Sequence, residues 1–276
     1  MAEQLSKMFD LSGRLAILTG GAGLLGRQYT RTLLEAGAKV VVADVSRAAD
    51  EAAKSAMAEV GGEAVGWTLD IRSKEEVTSM VDGARKRFGR VDILINNAAI
   101  DPKLDPDVAS QLTNTFEDYP LEFWQQSLDV NLTGAFLCSQ AVGKVMLAQG
   151  RGVMVNVCST YGLVAPDQRL YRRPGEKEQT LFKPAAYSVT KAAIAQLTRY
   201  LAAYWGGRGI RVNTLTPGGV YSAQDEAFVA RYCERTPLGR MAAPGDMNGA
   251  MLFLVSDASS YMNGANLVVD GGWTAW

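Results

Sequence analysis

Residues 19–26 read TGGAGLLG, set between the apolar run RLAIL (14–18) and the helix-compatible stretch RQYTRTLLEAG (27–37). Glycines at 20, 23 and 26 on a strand-to-helix junction make the phosphate cradle of a βαβ unit. The first permits the tight turn, the second lets backbone approach a pyrophosphate, and the third lets helix and strand pack closely, with the helix N-terminus toward the anion. A glycine loop alone serves more than one kind of nucleotide-binding enzyme. It gains meaning from Asp44, which closes the next apolar run, KVVVADV (39–45). A carboxylate there accepts hydrogen bonds from an adenosine ribose diol and repels a 2′-phosphate, so the expected cofactor is NAD in preference to NADP. Arg47, three residues on, weakens that preference.

Working outward, apolar runs alternate with helical patterns. RLAILTG (14–20), KVVVADV (39–45), EAVGWTLD (63–70), VDILINNA (91–98), GVMVNVCS (152–159), IRVNTLTP (210–217) and ANLVVDGG (265–272) read as seven strands. Most are near-continuously apolar, as in a parallel sheet covered on both faces. Helix patterns fall near 24–36, 47–60, 74–88, 122–148, 184–206 and 246–256. The alternation predicts an α/β fold, a doubly wound parallel seven-stranded sheet with helices on both faces. No linker or repeat divides the chain, so 1–276 reads as a single domain with a cofactor half at about 11–150 and a catalytic and substrate half at about 151–276. One stretch is irregular: APDQRLYRRPGEKEQTLFKP (165–184) is too polar for core and too long for an ordinary turn.

Composition excludes much. The formal charge is −1 and no basic block appears, which argues against nucleic acid as a partner. The N-terminus carries no signal pattern and no apolar run reads as long enough to cross a bilayer, so no membrane association and a cytoplasmic location are expected. Cys138, Cys158 and Cys233 are odd in number and unpaired in spacing, and read as small buried hydrophobes. The chain has no histidine, which removes histidine-based metal sites, Ser-His-Asp triads and histidine bases; no metal is expected, and any catalysis uses other groups.

Further motifs follow in order: Asp70, the NNAA run (96–99), Asn131 in LDVNLTGAF, Ser159 in NVCSTYG, Tyr187 and Lys191 in YSVTK, and PGGVYS (217–222). With the glycine loop they resemble the short-chain dehydrogenase/reductase family, from about Leu11 to Gly272. The resemblance implies a Rossmann-type nucleotide fold and an oxidoreductase that interconverts a secondary alcohol and its ketone. One departure stands out: the one-domain branch usually reads TGxxxGxG, whereas Leu24 occupies the middle glycine position here. TGGAGLLG fits the TGxxGxxG form of the longer branch that modifies sugar nucleotides. Too few residues follow the sixth strand for that branch's substrate domain, and NNAA, PGG and the DGG ending resemble the one-domain type.

Tyr187 and Lys191, four apart, share one face if 184–206 is a helix. A phenol with a pKa near 10 must shift by about 3 units to exchange protons near neutrality, and a neighbouring ammonium acts in that direction. Tyr161 and Tyr171 have no lysine four residues later, and Gly162 completes an SxxG pattern that favours Ser159 over Thr160. By resemblance, Tyr187 is the acid/base, Lys191 lowers its pKa and binds the nicotinamide ribose, Ser159 orients the substrate oxygen, and Asn131 holds a relay water. The same resemblance gives the cofactor Gly20, Gly23, Leu24, Leu25, Gly26, Asp44, Val45, Asp70, Ile71, Asn97, Ala98, Ala99, Tyr187, Lys191, Pro217, Gly218, Val220 and Ser222. It also implies a homodimer or homotetramer through the helices at 122–148 and 184–206.

The loop at 165–184 lies between two catalytic anchors and reads as a lid. It carries Arg169, Arg172, Arg173, Lys177 and Lys183 against Asp167, Glu176 and Glu178. Arg169, Arg172 and Arg173 would suit an anionic substrate such as a sugar phosphate; a solvated charged loop or a subunit contact is the competing reading. APDQRLYR with YMNG also resembles oxidoreductases of flagellin and surface-glycan sugar modification. Two further functions stay open: a catalytically silent dinucleotide-binding sensor or scaffold, and an epimerase or dehydratase that recycles its NAD.

Overall fold

The computed structural model describes residues 2–100, 115–173, 175–176 and 178–276; Lys177 of the lid lies outside the described residues. Seven strands form: β1 (Leu15–Thr19), β2 (Lys39–Asp44), β3 (Ala64–Thr68), β4 (Ile93–Asn96), β5 (Gly152–Val157), β6 (Ile210–Pro217) and β7 (Asn266–Val269). They make one parallel sheet in the order β3-β2-β1-β4-β5-β6-β7. The strand order reverses between β1 and β4, where a crevice opens at the carboxyl ends of such sheets. The expected fold class is the one observed. β7 stops short of the predicted 272 because Asp270 turns the chain, accepting the Gly272 and Thr274 amides at 2.9 Å each.

The alternating residues of each strand feed two cores. Ala16, Leu18, Val40 and Val42 pack with Tyr29 and Leu33 of α2 (Leu24–Glu35), α3 (Ala48–Val60), and Met251 and Leu254 further on. Leu15, Ile17, Val41 and Ala43 face Val77 and Met80 of α4 (Lys74–Phe88) and a second group of helices. Both faces of β1 and β2 are thereby buried, which is why their polar residues, Thr19, Lys39 and Asp44, stand only at the strand ends.

The predicted helix at 122–148 is three pieces: α5 (Leu121–Leu128), a π-helical segment Asp129–Gly134, and α6 (Ala135–Gln149). Its run Leu121–Gln149 is, by length and composition alone, apolar enough to span a membrane, which corrects the expectation that no run approaches that length; half of its most apolar window is buried inside the protein. It is followed by α7 (Ala185–Trp205), α8 (Glu226–Arg235) and α9 (Asn248–Val255). Two helices were not expected, α1 (Ala2–Phe9) and α8. Both are short and polar, and α8 fully buries only Tyr232. Helices this short depend on context rather than on a long apolar stripe; α8 is capped by Asp225, which accepts the Phe228 amide at 3.1 Å.

α7 is seated on the sheet by buried polar bonds. Asn96, Asn156 and Thr214 stand in one row across β4, β5 and β6. Asn96 donates to Asn156 (2.8 Å), Asn156 to Thr198 of α7 (2.9 Å), and Thr214 to Thr198 (2.9 Å). Partnered groups of this kind in a low-dielectric interior fix one register of helix on sheet.

Candidate active site

Gly20 sits at φ +65°, and a Cβ there would meet the Ala98 Cα at 2.7 Å. At Gly26 a Cβ would overlap the Gly20 carbonyl and lie 2.6 Å from the Gly21 Cα. Only glycine allows the loop to fold this tightly under α2. Gly23 precedes the helix in an extended conformation, and no side chain caps the first turn of α2. Asn97 braces the loop, donating to the carbonyls of Thr19 and Gly20 at 3.1 Å each, while the Thr19 hydroxyl accepts from the amides of Asn97 and Ala98. The Thr19 brace was not read from the sequence, although TG opens the motif.

Asp44 ends β2 beside this loop. Its carboxylate accepts the Ala22 amide at 3.0 Å and the Ser46 amide at 2.9 Å. Val45 next to it is 71% exposed. Arg27 turns back to the Ala22 carbonyl at 3.0 Å, and Arg47 is exposed. Asp70 is gripped by Arg72 through both carboxylate oxygens. That hydrogen bonding holds its carboxyl below the usual range. Ile71 beside it is buried. These residues could hold a dinucleotide, because Gly20 and Gly26 let the loop fold tightly at the head of α2 and the Asp44 carboxylate is fixed beside it.

Lys191 reaches the end of β5, two residues before Ser159, and the Tyr187 ring lies beside its ammonium. Lys191 is 4% exposed, and its ammonium donates to the Val157 carbonyl at 2.8 Å. The same ammonium lies 5.8 Å from the centre of the Tyr187 ring. Ser159 begins a short turn, its hydroxyl accepting the Tyr161 amide at 3.2 Å. Gly162 closes that turn against α7, where a Cβ would press on the Lys191 backbone at 2.8 to 2.9 Å; this is the physical content of the SxxG spacing.

Asn131 lies in the π-helical segment, 2% exposed. Its amide nitrogen donates to the Ile100 carbonyl (3.0 Å) and to Thr190 (3.2 Å), and its oxygen accepts the Ile100 amide at 2.8 Å. Both donors are thus spent, and one acceptor lone pair is left. The wider π turn, often found at functional sites, puts this residue between the segment after β4 and α7.

Beyond β6 the PGGVYS turn is held from three sides. Gly218 donates to the Val269 carbonyl (2.9 Å), Gly219 to the Tyr232 hydroxyl (2.6 Å), and Tyr221 to the Ala242 carbonyl (2.9 Å). Tyr232 in turn stacks on Trp273 at 4.2 Å. Gln224 accepts the Ser222 amide and donates to the Val220 carbonyl. Tyr232 was overlooked because α8 itself was overlooked.

Two of the lid's arginines, Arg169 and Arg172, are engaged within the lid. Arg169 is paired with Asp167 at 2.7 Å and its side chain is 82% exposed. Arg172 donates to the Glu176 carbonyl at 2.9 Å, and Arg173 is exposed. From α8, Arg231 donates to the Leu170 and Arg172 carbonyls and Arg235 to Asp167. Lys183 differs: it is 8% exposed, and its ammonium stands 4.3 Å from the centre of the Tyr187 ring. A cleft of about 820 Å³ opens on that side, lined by Trp124, Gln168, Phe182, Lys183 and Ser188. Tyr187 and Ser159 do not line it.

Residues 14–171 match the family model described as short chain dehydrogenase, and residues 176–274 match one described as Enoyl-(Acyl carrier protein) reductase. The chain is 35% identical over 283 residues to a D-threitol dehydrogenase of Mycolicibacterium smegmatis, covering 99% of this chain and 98% of that one. Among solved structures, a gluconate 5-dehydrogenase from Burkholderia cenocepacia in complex with NADP and tartrate superposes with a TM-score of 0.84 at 32% identity, covering 99% of each chain. A short chain dehydrogenase from Leptospira borgpetersenii with bound NAD+ gives 0.82 at 32% identity, covering 98% of this chain and 95% of that one.

Proposed function

The chain belongs to the short-chain dehydrogenase/reductase family, and from that premise we propose that it is an NAD-dependent dehydrogenase of a polyhydroxylated secondary alcohol, with Tyr187 as its proton-exchanging group. The family membership makes it an oxidoreductase that interconverts a secondary alcohol and its ketone with a nicotinamide dinucleotide. The observation that carries the finer reading is the buried Lys191 ammonium, pinned to the Val157 carbonyl beside the Tyr187 ring.

When bound, a nicotinamide dinucleotide supplies the hydride acceptor or donor. Every other part belongs to the chain. Tyr187 takes the hydroxyl proton of the alcohol as the carbon is oxidised, or returns it to the ketone oxygen in reduction. Lys191 favours the phenolate by its charge in a buried setting. Ser159 hydrogen-bonds the reacting oxygen and steadies charge developing on it. Asn131, with one acceptor left, holds the proton exit between Ile100 and Thr190. Gly20, Gly23 and Gly26, together with Leu24 and Leu25 at the start of α2, would hold the pyrophosphate; Asp44 and Val45 would hold the adenosine ribose, and Asp70 and Ile71 would serve the adenine side. Asn97, Ala98 and Ala99 would line the dinucleotide's crevice, and Pro217, Gly218, Val220 and Ser222 would hold the nicotinamide end, with Tyr187 and Lys191.

The fixed anion of Asp44 supports NAD over NADP, since a 2′-phosphate beside it meets like charge. The engagement of Arg169 and Arg172 within the lid supports a neutral polyol or sugar over a sugar phosphate, in keeping with the threitol relative. Exposed apolar groups along α5 and α7, including Leu121, Val189, Tyr200 and Tyr204, support self-association as a dimer or tetramer. Three free cysteines suit the reducing cytoplasm.

The test is NADH formation over a panel of polyols and sugars, run in parallel with NADP and with Tyr187→Phe. The expected result is turnover with NAD at least about tenfold above that with NADP, and loss of about a thousandfold in Tyr187→Phe. Cofactor binding with no conversion of any substrate would favour the silent binder. Conversion seen by chromatography without net absorbance change would favour a cofactor-recycling epimerase or dehydratase.

A further inference from the structure

Tyr187 has a cation on each side along the sequence, Lys183 four residues before it and Lys191 four after. Lys191 belongs to α7, whereas Lys183 precedes Pro184, the residue that opens the helix, and reaches the ring from the lid. The lid's neck places it there. The Gln168 side chain grips the Lys183 backbone from both ends, accepting its amide at 2.8 Å and donating to its carbonyl at 3.2 Å. Gln179 donates to the carbonyls of Gln168 and Leu181, closing the same neck.

The result is an ammonium 4.3 Å from the Tyr187 ring centre and 5.9 Å from that of Tyr161, on a side chain only 8% exposed. That is nearer the Tyr187 ring than Lys191 is, at 5.8 Å. A cation over an aromatic face within about 6 Å is attracted to the ring, and the attraction grows when the ring's oxygen carries negative charge and water is kept out. Lys191 from its own helix and Lys183 from the lid neck both stand by the Tyr187 ring; Lys183 also stands by Tyr161 in the turn after β5, whose hydroxyl accepts from that of Tyr171 at 3.0 Å.

We propose that Lys183 is a positioning residue for the reaction: its ammonium, held over the Tyr187 ring by the Gln168 clasp, stabilises the phenolate jointly with Lys191. This couples the lid to proton exchange, because the clasp that shapes the lid's neck also places the charge. The proposal rests on the reading of Tyr187 as the proton-exchanging group.

Two measurements on the full chain test it. In the first, the tyrosinate ultraviolet absorbance is titrated with pH, and the Tyr187→Phe curve is subtracted to isolate Tyr187. Lys183→Met is expected to move that ionisation up by about one pH unit, whereas Lys183→Arg leaves it within a few tenths. In the second, kcat/KM for alcohol oxidation is followed against pH: the rising limb shifts up by the same amount, so Lys183→Met is about tenfold slower near neutrality and recovers at high pH. Lys183→Gln serves where the methionine variant does not fold. An unmoved ionisation in a folded variant would overturn the proposal, as would equal shifts for Met and Arg, or a change confined to KM. A shifted ionisation in a chain that oxidises no alcohol would uphold the pairing and instead remove the dehydrogenase reading.

Discussion

Gly26 shows how much one missing carbon can decide. Its absent Cβ leaves room for the Gly20 carbonyl and the Gly21 backbone, and backbone cannot swing aside as a side chain tip can. Gly23 is looser: a Cβ there meets only the Gly20 carbonyl, at 3.3 Å. Gly26→Ala is therefore expected to weaken NADH binding by about tenfold or more and to lower Tm, since it forces the cradle open by an overpacking cost of about 1–3 kcal/mol. Gly23→Ala should cost several-fold less. Fluorescence titration of NADH with both variants checks this, and equal losses would remove the distinction. At this scale the sequence was most informative. Tyr187, Lys191, Ser159 and Gly162 are linked by short spacings within a helix and a turn, so local geometry carries their meaning. The place of Lys183 was not legible, because it depends on Gln168 closing a loop from 15 residues away, and no periodicity announces a side chain that grips a distant backbone.

Among elements, α8 and the lid illustrate the same limit. The stretch 226–235 is ten residues long, too short for a decisive apolar stripe, and it folds as a helix because Asp225 caps it and Tyr232 is buried against Trp273. Once formed, it holds the lid: Arg231 donates to the carbonyls of Leu170 and Arg172. The lid's charges, read from sequence as a basic mouth for an anion, are in part the pegs of this joint. Arg231→Ala leaves both carbonyls without that partner, at a cost of about 1–3 kcal/mol that falls locally on the lid. The expected outcome is faster amide hydrogen exchange over 168–173 and a several-fold rise in KM, with global Tm nearly unchanged. A fall in Tm without added exchange at the lid would show that Arg231 supports the whole fold instead. The seven strands, by contrast, were legible to within a few residues: β1, β4 and β5 are buried throughout, which leaves a near-continuous apolar run, and the half-exposed edge strands β3 and β7 were read from shorter apolar runs.

For the whole molecule, the charge pattern predicts how stability depends on pH. With no histidine in the chain, no side chain of ordinary pKa titrates between about pH 5 and 8, so stability should be nearly flat there. Below that range, carboxylates held by arginines set the slope. Asp257 joins parts remote in sequence: it accepts from Arg14 at 2.6 Å, just before β1, and from Arg151 at 2.9 Å, just before β5. Burial opposes its ionisation, but hydrogen bonds and charge from Arg14 and Arg151 outweigh that and hold its carboxyl below the ordinary 3.8. Asp70, Asp167 and Asp246 are likewise lowered, chiefly by hydrogen bonds from Arg72, Arg169 and Arg240. For each, the unfolded chain binds its proton at a higher pH than the folded one, so their stabilisation is present above about pH 4 and is lost as pH falls through the folded pKa. Asp257→Asn should therefore lower stability at pH 7 by at most about 1 kcal/mol, because the pair is half exposed and screened, and the difference from the parent chain should shrink toward zero at pH 2. Urea unfolding at a series of pH values measures it; a difference that stays constant down to pH 2 would show that the arginine bonds, and not the charge of Asp257, join these segments.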